Sequence, residues 1–319
     1  MTDTPHPDAR ALLDTLAELD LPPLHEVPVE AARRRQRANS LPGQDYEPEP
    51  VEAVETAVVR GAGHGVPVRA YAPGGTGRPV LVWAHGGGFV LGDVETEDSV
   101  ARALCNAADC VVVSVDYRLA PEHPFPAALE DVVAVLEWAR GGDGTVADLG
   151  GDSDRVAVGG ASAGGNLAAA ASLLGRDRGA PRVNYQVLVY PAVSHGGEFD
   201  SRSTYDGYFL TREETAYFES CYLENDLHGR NPYAFPLGAE DLGGLPPATV
   251  VTAGFDPLRD EGVAYAEAMA ADGVDVTRHH YEGMIHAFLG MLDEPEWAVA
   301  REAVASIGED LRGHFDGSG

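Results

Sequence analysis

The feature that most limits what this chain can fold into is the run Arg155-Val156-Ala157-Val158-Gly159-Gly160-Ala161-Ser162-Ala163-Gly164-Gly165-Asn166. An apolar stretch gives way to small residues and then to an Ala/Leu-rich segment over Leu167 to Leu174, which reads as strand, sharp turn, helix. Gly160-Ala161-Ser162-Ala163-Gly164 fits G-x-S-x-G, the nucleophile-elbow pattern, whose serine sits on a strained turn with small neighbours because the two backbones nearly touch. Such a turn holds the Ser162 hydroxyl at the top of a sheet, beside a helix N-terminus. Five residues do not by themselves separate this from a serine that merely caps the helix. The rest of the chain decides.

Two amphipathic segments come first, residues 8–20 with Leu12, Leu13, Leu16 and Leu19 at helical spacing, and 29–38 with arginines at four of the five positions 33–37. Those arginines read as a solvated helix face paired with the acidic bulk. A loop from Leu41 to Pro50 leads to alternating strands over 51–60 and 66–71, joined by a Gly-rich turn at 61–65. Strands at 79–84, 110–115, 183–190, 248–253 and 274–281 then alternate with helices at 99–108, 127–140, 258–271 and 296–312, the elbow strand and its helix lying between. This alternation predicts a mostly parallel central sheet with right-handed crossovers and helices on both faces, an α/β architecture. The pattern breaks between Pro191 and Pro247, where an aromatic-rich stretch carries a helix over 213–223 and no strand; an insertion this long reads as a lid.

The 319 residues carry a net charge of −29, and every basic residue is arginine. Such a field repels nucleic acid and anionic membrane and disfavours highly anionic substrates. Hydrophobic content of 44% reads as globular and soluble. The N-terminal eight residues lack a basic region or apolar core, and no stretch approaches the ~20 apolar residues of a spanning helix, so the reading is cytoplasmic. Cys105, Cys110 and Cys221 are too few and too irregularly spaced for a disulfide framework or zinc site and read as buried free thiols.

Acyl transfer needs a nucleophile, a base, a carboxylate to orient the base, and N–H donors for the oxyanion. Each is available just after a strand. His85-Gly86-Gly87-Gly88 follows the 79–84 strand, where the amides of Gly87 and Gly88, with that of Ala163 after the serine, are placed to face a developing negative oxygen. Asp256 comes first after the 248–253 strand, a position that equally suits a helix N-cap, while Asp260 and Glu261 fall one turn further on. His286 follows the last strand; its rivals His279 and His280 lie within it. The order Ser162, Asp256, His286 is that of α/β-hydrolases.

With these residues in place the chain resembles the hormone-sensitive-lipase family of α/β-hydrolases, the bacterial esterases with the His-Gly-Gly-Gly motif. The likeness rests on 85–88, Asp116 to Glu122, the elbow, Asp256 to Gly262 and Gly283 to Phe288. It implies that Ser162 attacks, His286 is general base and acid, and Asp256 orients it. It also implies an α/β-hydrolase core over 46–194 and 241–319, with a helical cap from residues 1–45 and 195–240 over the acyl pocket. The Tyr117 to Glu122 loop becomes scaffolding. One departure is Ala161, where the family carries an acidic or hydroxyl residue; another is Phe235, where it carries a small serine. The expected activity is hydrolysis of short- to medium-chain acyl esters with no metal or organic cofactor. Alternatives on the same fold are an amidase, deacetylase or thioesterase, or a non-catalytic small-molecule-binding protein. Acyl-CoA is disfavoured unless Arg202 or Arg212 faces the entrance. A homodimer through the last strand is the partner the resemblance implies.

Overall fold

The structure is a computed structural model and describes residues 4–40, 47–60, 63–142, 144–292 and 297–317. Strands β1 (Ala53–Arg60), β2 (Gly65–Ala72), β3 (Arg78–Ala84), β4 (Val111–Val115), β5 (Gly151–Ala161), β6 (Tyr185–Val189), β7 (Ala248–Phe255) and β8 (Val276–Ile285) form one sheet in the order β1-β2-β4-β3-β5-β6-β7-β8. Strand β2 runs antiparallel to both neighbours and every other pairing after it is parallel. The helices are α1 (Pro7–Glu18), α2 (Val29–Ser40), α3 (Asp98–Ala108), α4 (Ala127–Gly141), α5 (Thr145–Asp148), α6 (Ala163–Arg178), α7 (Asp200–Thr204), α8 (Arg212–Tyr222), α9 (Arg259–Ala271) and α10 (Ala298–Asp316).

The central strands are unbroken apolar runs because both faces of the sheet are covered. Alternate residues of β3 divide between two cores: Val80, Val82 and Ala84 pack with α4, α6 and α9, whereas Leu81 and Trp83 pack with α3 and α10. Strand β1 lies at an edge, and its alternation leaves Val58 67% exposed, as a half-solvated antiparallel strand should.

The expected elements are present, with shifted ends. The last strand differs most: β8 runs 276–285 rather than 274–281, so its end reaches the residue before His286. Asp256 is followed by a turn, and helix α9 begins only at Arg259, not at Leu258. Of the 41–50 loop only 47–50 lies in the described residues, as do 63–65 of the 61–65 turn; residue 296, the expected start of the last helix, lies outside them.

The arginines of α2 are not all a solvated face. Arg33 reaches inward, its Nε donating to the Val90 carbonyl at 2.9 Å and its Nη2 to the Ala120 carbonyl at 3.0 Å, with Glu122 paired at 2.7 Å. It ties α2 to the loop before α4. Cys105 and Cys110 are buried free thiols, but Cys221 is only half-buried.

Candidate active site

Three strand ends and one elbow deliver the residues that the motifs single out. Strand β5 ends at Ala161, and Ser162 turns the chain with φ +56° and ψ −116°, a left-handed conformation that costs a side chain strain of about 1–3 kcal/mol. Three backbone bonds hold it there: the Ser162 N–H donates to the Val189 carbonyl, and its own carbonyl accepts from the Asn166 and Ala192 N–H groups. The small neighbours are obligatory. A Cβ on Gly160 would stand 2.4 Å from the Gly164 backbone, and one on Gly164 would stand 2.0 Å from the Ala84 carbonyl oxygen. Helix α6 thus starts in contact with the end of β3, the strand that carries the glycine motif.

His286 and Asp256 arrive from the neighbouring pair β7 and β8, where a Cβ on Gly254 would fall 1.8 Å from the Glu282 carbonyl oxygen. That close approach brings the two strand ends together. Asp256 is fully buried, and its Oδ2 accepts from His286 Nδ1 at 2.8 Å while its Oδ1 accepts the Leu258 N–H at 2.8 Å. It therefore serves the turn and the histidine at once. His286 Nε2 lies 2.9 Å from Ser162 Oγ, the ring resting against Tyr190 with centroids 4.8 Å apart. With the imidazole proton on Nδ1, Nε2 accepts from the serine hydroxyl. The rivals are committed elsewhere: His279 pairs with Asp310 and His280 with Thr252.

The His85–Gly88 loop follows β3, which is hydrogen-bonded directly to β5. Gly87 has φ +120° and Gly88 φ +61°; a Cβ on Gly87 would meet the Leu91 carbonyl oxygen at 2.2 Å. Among the described residues the amides of Gly87 and Gly88 have no protein acceptor, and the Ala163 amide opens α6, where helical amides are unpaired. His85 stacks on Tyr117, whose hydroxyl donates to the His85 carbonyl at 2.8 Å. The Tyr117 to Glu122 segment thereby braces this loop from beneath.

Ser162 and His286 open on a cavity of about 980 Å³. Its walls include Leu12 and Leu16 of α1, Gln36 and Asn39 of α2, and Phe218 of α8. The Leu24 N–H meets Glu214 of α8 at 3.4 Å, joining the N-terminal segment to the 191–247 insertion. Phe235 is buried in the wall, its ring against Tyr222 and His195. Ala161 is buried at the cavity floor.

Three charged residues outside the expected triad also lie along this cavity, and of these sequence reading singles out no role for Glu97. Glu261 is fully buried, accepting the Val193 and Ser194 amides and pairing with Arg202 at 2.6 Å. Arg202 is thus occupied within the wall, its charge spent on Glu261. Glu97 accepts from the Gly86 amide and the Trp83 indole. Burial pushes its carboxyl up to about 6, against the pull of those two donors. Among the described residues no group of three or more His, Cys, Asp or Glu side chains is placed to hold a metal ion, and no helix is long and apolar enough to cross a membrane.

The α/β-hydrolase-fold family model matches residues 81–290. The chain is 41% identical to the carboxylic ester hydrolase LipN of Mycobacterium tuberculosis over 82% of this chain and 70% of that protein. It is also 41% identical to an arylesterase of Saccharolobus solfataricus, over 88% and 90%. A hyperthermophilic esterase from the archaeon Pyrobaculum calidifontis superposes with a TM-score of 0.88 at 39% identity, covering 98% of this chain and 99% of that one. A shared fold, a match across the span from β3 to the turn after β8, and identity of this order over most of the length have one meaning: the chain belongs to the hormone-sensitive-lipase-like esterase family of α/β-hydrolases.

Proposed function

We propose that this carboxylic-ester hydrolase cleaves short- to medium-chain acyl esters through a Ser162–His286–Asp256 triad and an acyl-enzyme intermediate. The observation that carries the proposal is the unbroken pair of hydrogen bonds, 2.9 Å from Ser162 to His286 and 2.8 Å from His286 to Asp256, at the floor of a cavity. Ser162 Oγ adds to the ester carbonyl as His286 Nε2 takes its proton; the Gly87, Gly88 and Ala163 amides receive the oxyanion. Collapse breaks the ester C–O bond, and His286 returns the proton to the departing alkoxide. Water then attacks the acyl-enzyme by the same route, releasing acid and restoring Ser162. Asp256 keeps the Nδ1 proton in place and stabilises the imidazolium that forms. Of the segments 1–45 and 195–240, the described residues act as the cap that encloses the acyl chain, Leu16 and Phe218 giving it an apolar lining.

The test is hydrolysis of chromogenic esters of graded acyl length by wild type and Ser162→Ala. The expected result is turnover of short and medium chains, falling by roughly 10⁴-fold or more in the variant. Turnover that survives Ser162→Ala, or a preference for long-chain fats, overturns the proposal. A folded protein that hydrolyses no ester and whose Ser162 ignores a phosphonate probe would favour the binding-protein alternative.

A further inference from the structure

The reaction as proposed gives no role to Glu97, which lines the cavity beside Gly86. Glu97 precedes α3 and turns its carboxylate towards the His85–Gly88 loop, where Oε1 accepts the Gly86 N–H at 2.7 Å and Oε2 accepts the Trp83 Nε1–H at 2.7 Å. Trp83 is fully buried on β3. A Cβ built on Gly86 would stand 3.4 Å from Glu97 Oε1, 3.7 Å from Ser162 Cβ and 3.3 Å from the Ala161 carbonyl oxygen. Carboxylate and nucleophile therefore flank the same glycine. Residue 161, the step before the serine, is an alanine, so the elbow itself carries no carboxylate.

We propose that Glu97 is the positioning residue of the oxyanion loop, pinning the Gly86 amide to the immobile Trp83 indole and so fixing the direction of the Gly87 and Gly88 N–H groups. This rests on the reading of that loop as the oxyanion hole. The other contacts on the loop hold it by its carbonyls: Tyr117 donates to the His85 carbonyl, the His85 ring to that of Gly86, and Val90 and Leu91 to that of Gly87. Glu97 holds it by an amide. Both of its partners donate, so the side chain has to accept twice, which a carboxylate does with either oxygen. A glutamine offers one acceptor and one NH2, and sets a donor against a donor. Losing the clamp swings the loop amides without emptying the pocket, so the loss falls on the transition state and not on ground-state binding.

The experiment compares kcat and KM for a short-chain ester in wild type, Glu97→Gln, Trp83→Phe and the double variant, with thermal unfolding of each. Glu97→Gln is expected to lower kcat by roughly 10- to 100-fold, as for a small misplacement of reacting groups, while KM moves less than about threefold. Removing the indole donor frees the carboxamide to turn its oxygen to Gly86. Hence Glu97→Gln should cost at least about fivefold less in the Trp83→Phe background, a coupling that a general loss of stability would not produce. Glu97→Asp, which keeps both acceptors on a shorter stem, serves if the glutamine variant does not fold, and its kcat should fall while KM holds. An unchanged kcat, a change confined to KM, or equal costs in both backgrounds overturns the proposal. Wild-type turnover that survives Ser162→Ala would instead sink the serine-esterase reading, independently of Glu97.

Discussion

His85 illustrates how one buried side chain writes a pH dependence into the fold. It is fully buried against Tyr117, its Nδ1 lies 2.7 Å from the Gly86 carbonyl, and among the described residues its Nε2 has no partner. Burial lowers its pKa from 6.5 to about 4, so the ring is neutral with its proton on Nδ1. Between those values the unfolded chain binds more protons than the folded one. Stability from this group is therefore complete above pH 6.5 and is lost as pH falls towards 4, by at most ~3 kcal/mol. His85→Asn keeps a donor at the Nδ1 position and removes the titration. Its urea midpoint should change less than that of wild type between pH 6.5 and 4.5; an equal acid loss in both places the sensitive group elsewhere. Glu97, pushed up to about 6, works in the opposite direction over part of this range, so the comparison with the variant is the informative quantity. At this scale Ser162, Asp256 and His286 were legible because each follows a strand amid small or turn-forming residues of fixed spacing. Glu97 was not, since its partners are a backbone amide and an indole, which leave no spacing signature. Between Glu95 and Asp98 it looks like an ordinary acidic helix start.

Helix α2 shows where periodicity stops being informative. Its arginine run has the composition of a solvated face, and Arg34 is indeed exposed, but Arg33 points the other way and ties the helix to Val90, Ala120 and Glu122. A one-residue step around a helix rotates a side chain by ~100°, and nothing local says which arginine will meet carbonyls contributed from more than fifty positions away. Arg33→Ala is expected to cost roughly 2 kcal/mol, chiefly the two charge-assisted bonds to carbonyls, with the half-exposed Glu122 pair adding little. Because α2 lines the cavity, KM for the larger esters should rise as well. Arg34→Ala is the matched control, expected within about 0.5 kcal/mol of wild type. Equal melting temperatures for the two variants would contradict the inward role of Arg33. The extension of β8 has a similar origin: residues 282–285 lack a strand composition and are drawn into the sheet by the close backbone contact at Gly254.

For the molecule as a whole, the mostly parallel sheet and its two helical layers follow from the alternation of apolar runs and helices. The order β1-β2-β4-β3-β5-β6-β7-β8, with β4 between β2 and β3, does not, because alternation leaves open which neighbour each strand takes. Nor does alternation specify how the N-terminal helices meet the 191–247 insertion, since that junction depends on contacts such as Leu24 with Glu214 between segments far apart in sequence. The net charge of −29 acts at this scale too. Many arginines are paired, yet the acidic excess is uncompensated, so repulsion outweighs attraction and screening should stabilise the fold. The melting temperature should rise between 20 mM and 0.5 M NaCl by roughly several degrees; a fall would mean that ion pairs dominate. Strands β3 and β5 are hydrogen-bonded neighbours, as are β7 and β8. The glycine loop and Ser162 therefore leave the sheet one ~4.8 Å strand pitch apart, as do Asp256 and His286, and the turn after β8 carries the His286 ring past β7 and β6 to Ser162. Segments that wall the chamber can lengthen, shorten or change sequence while that pitch stays the same. On the proposed reading, the cavity residues contributed by α1, α2 and α8 can change without moving the strand ends that hold Ser162, Asp256 and His286.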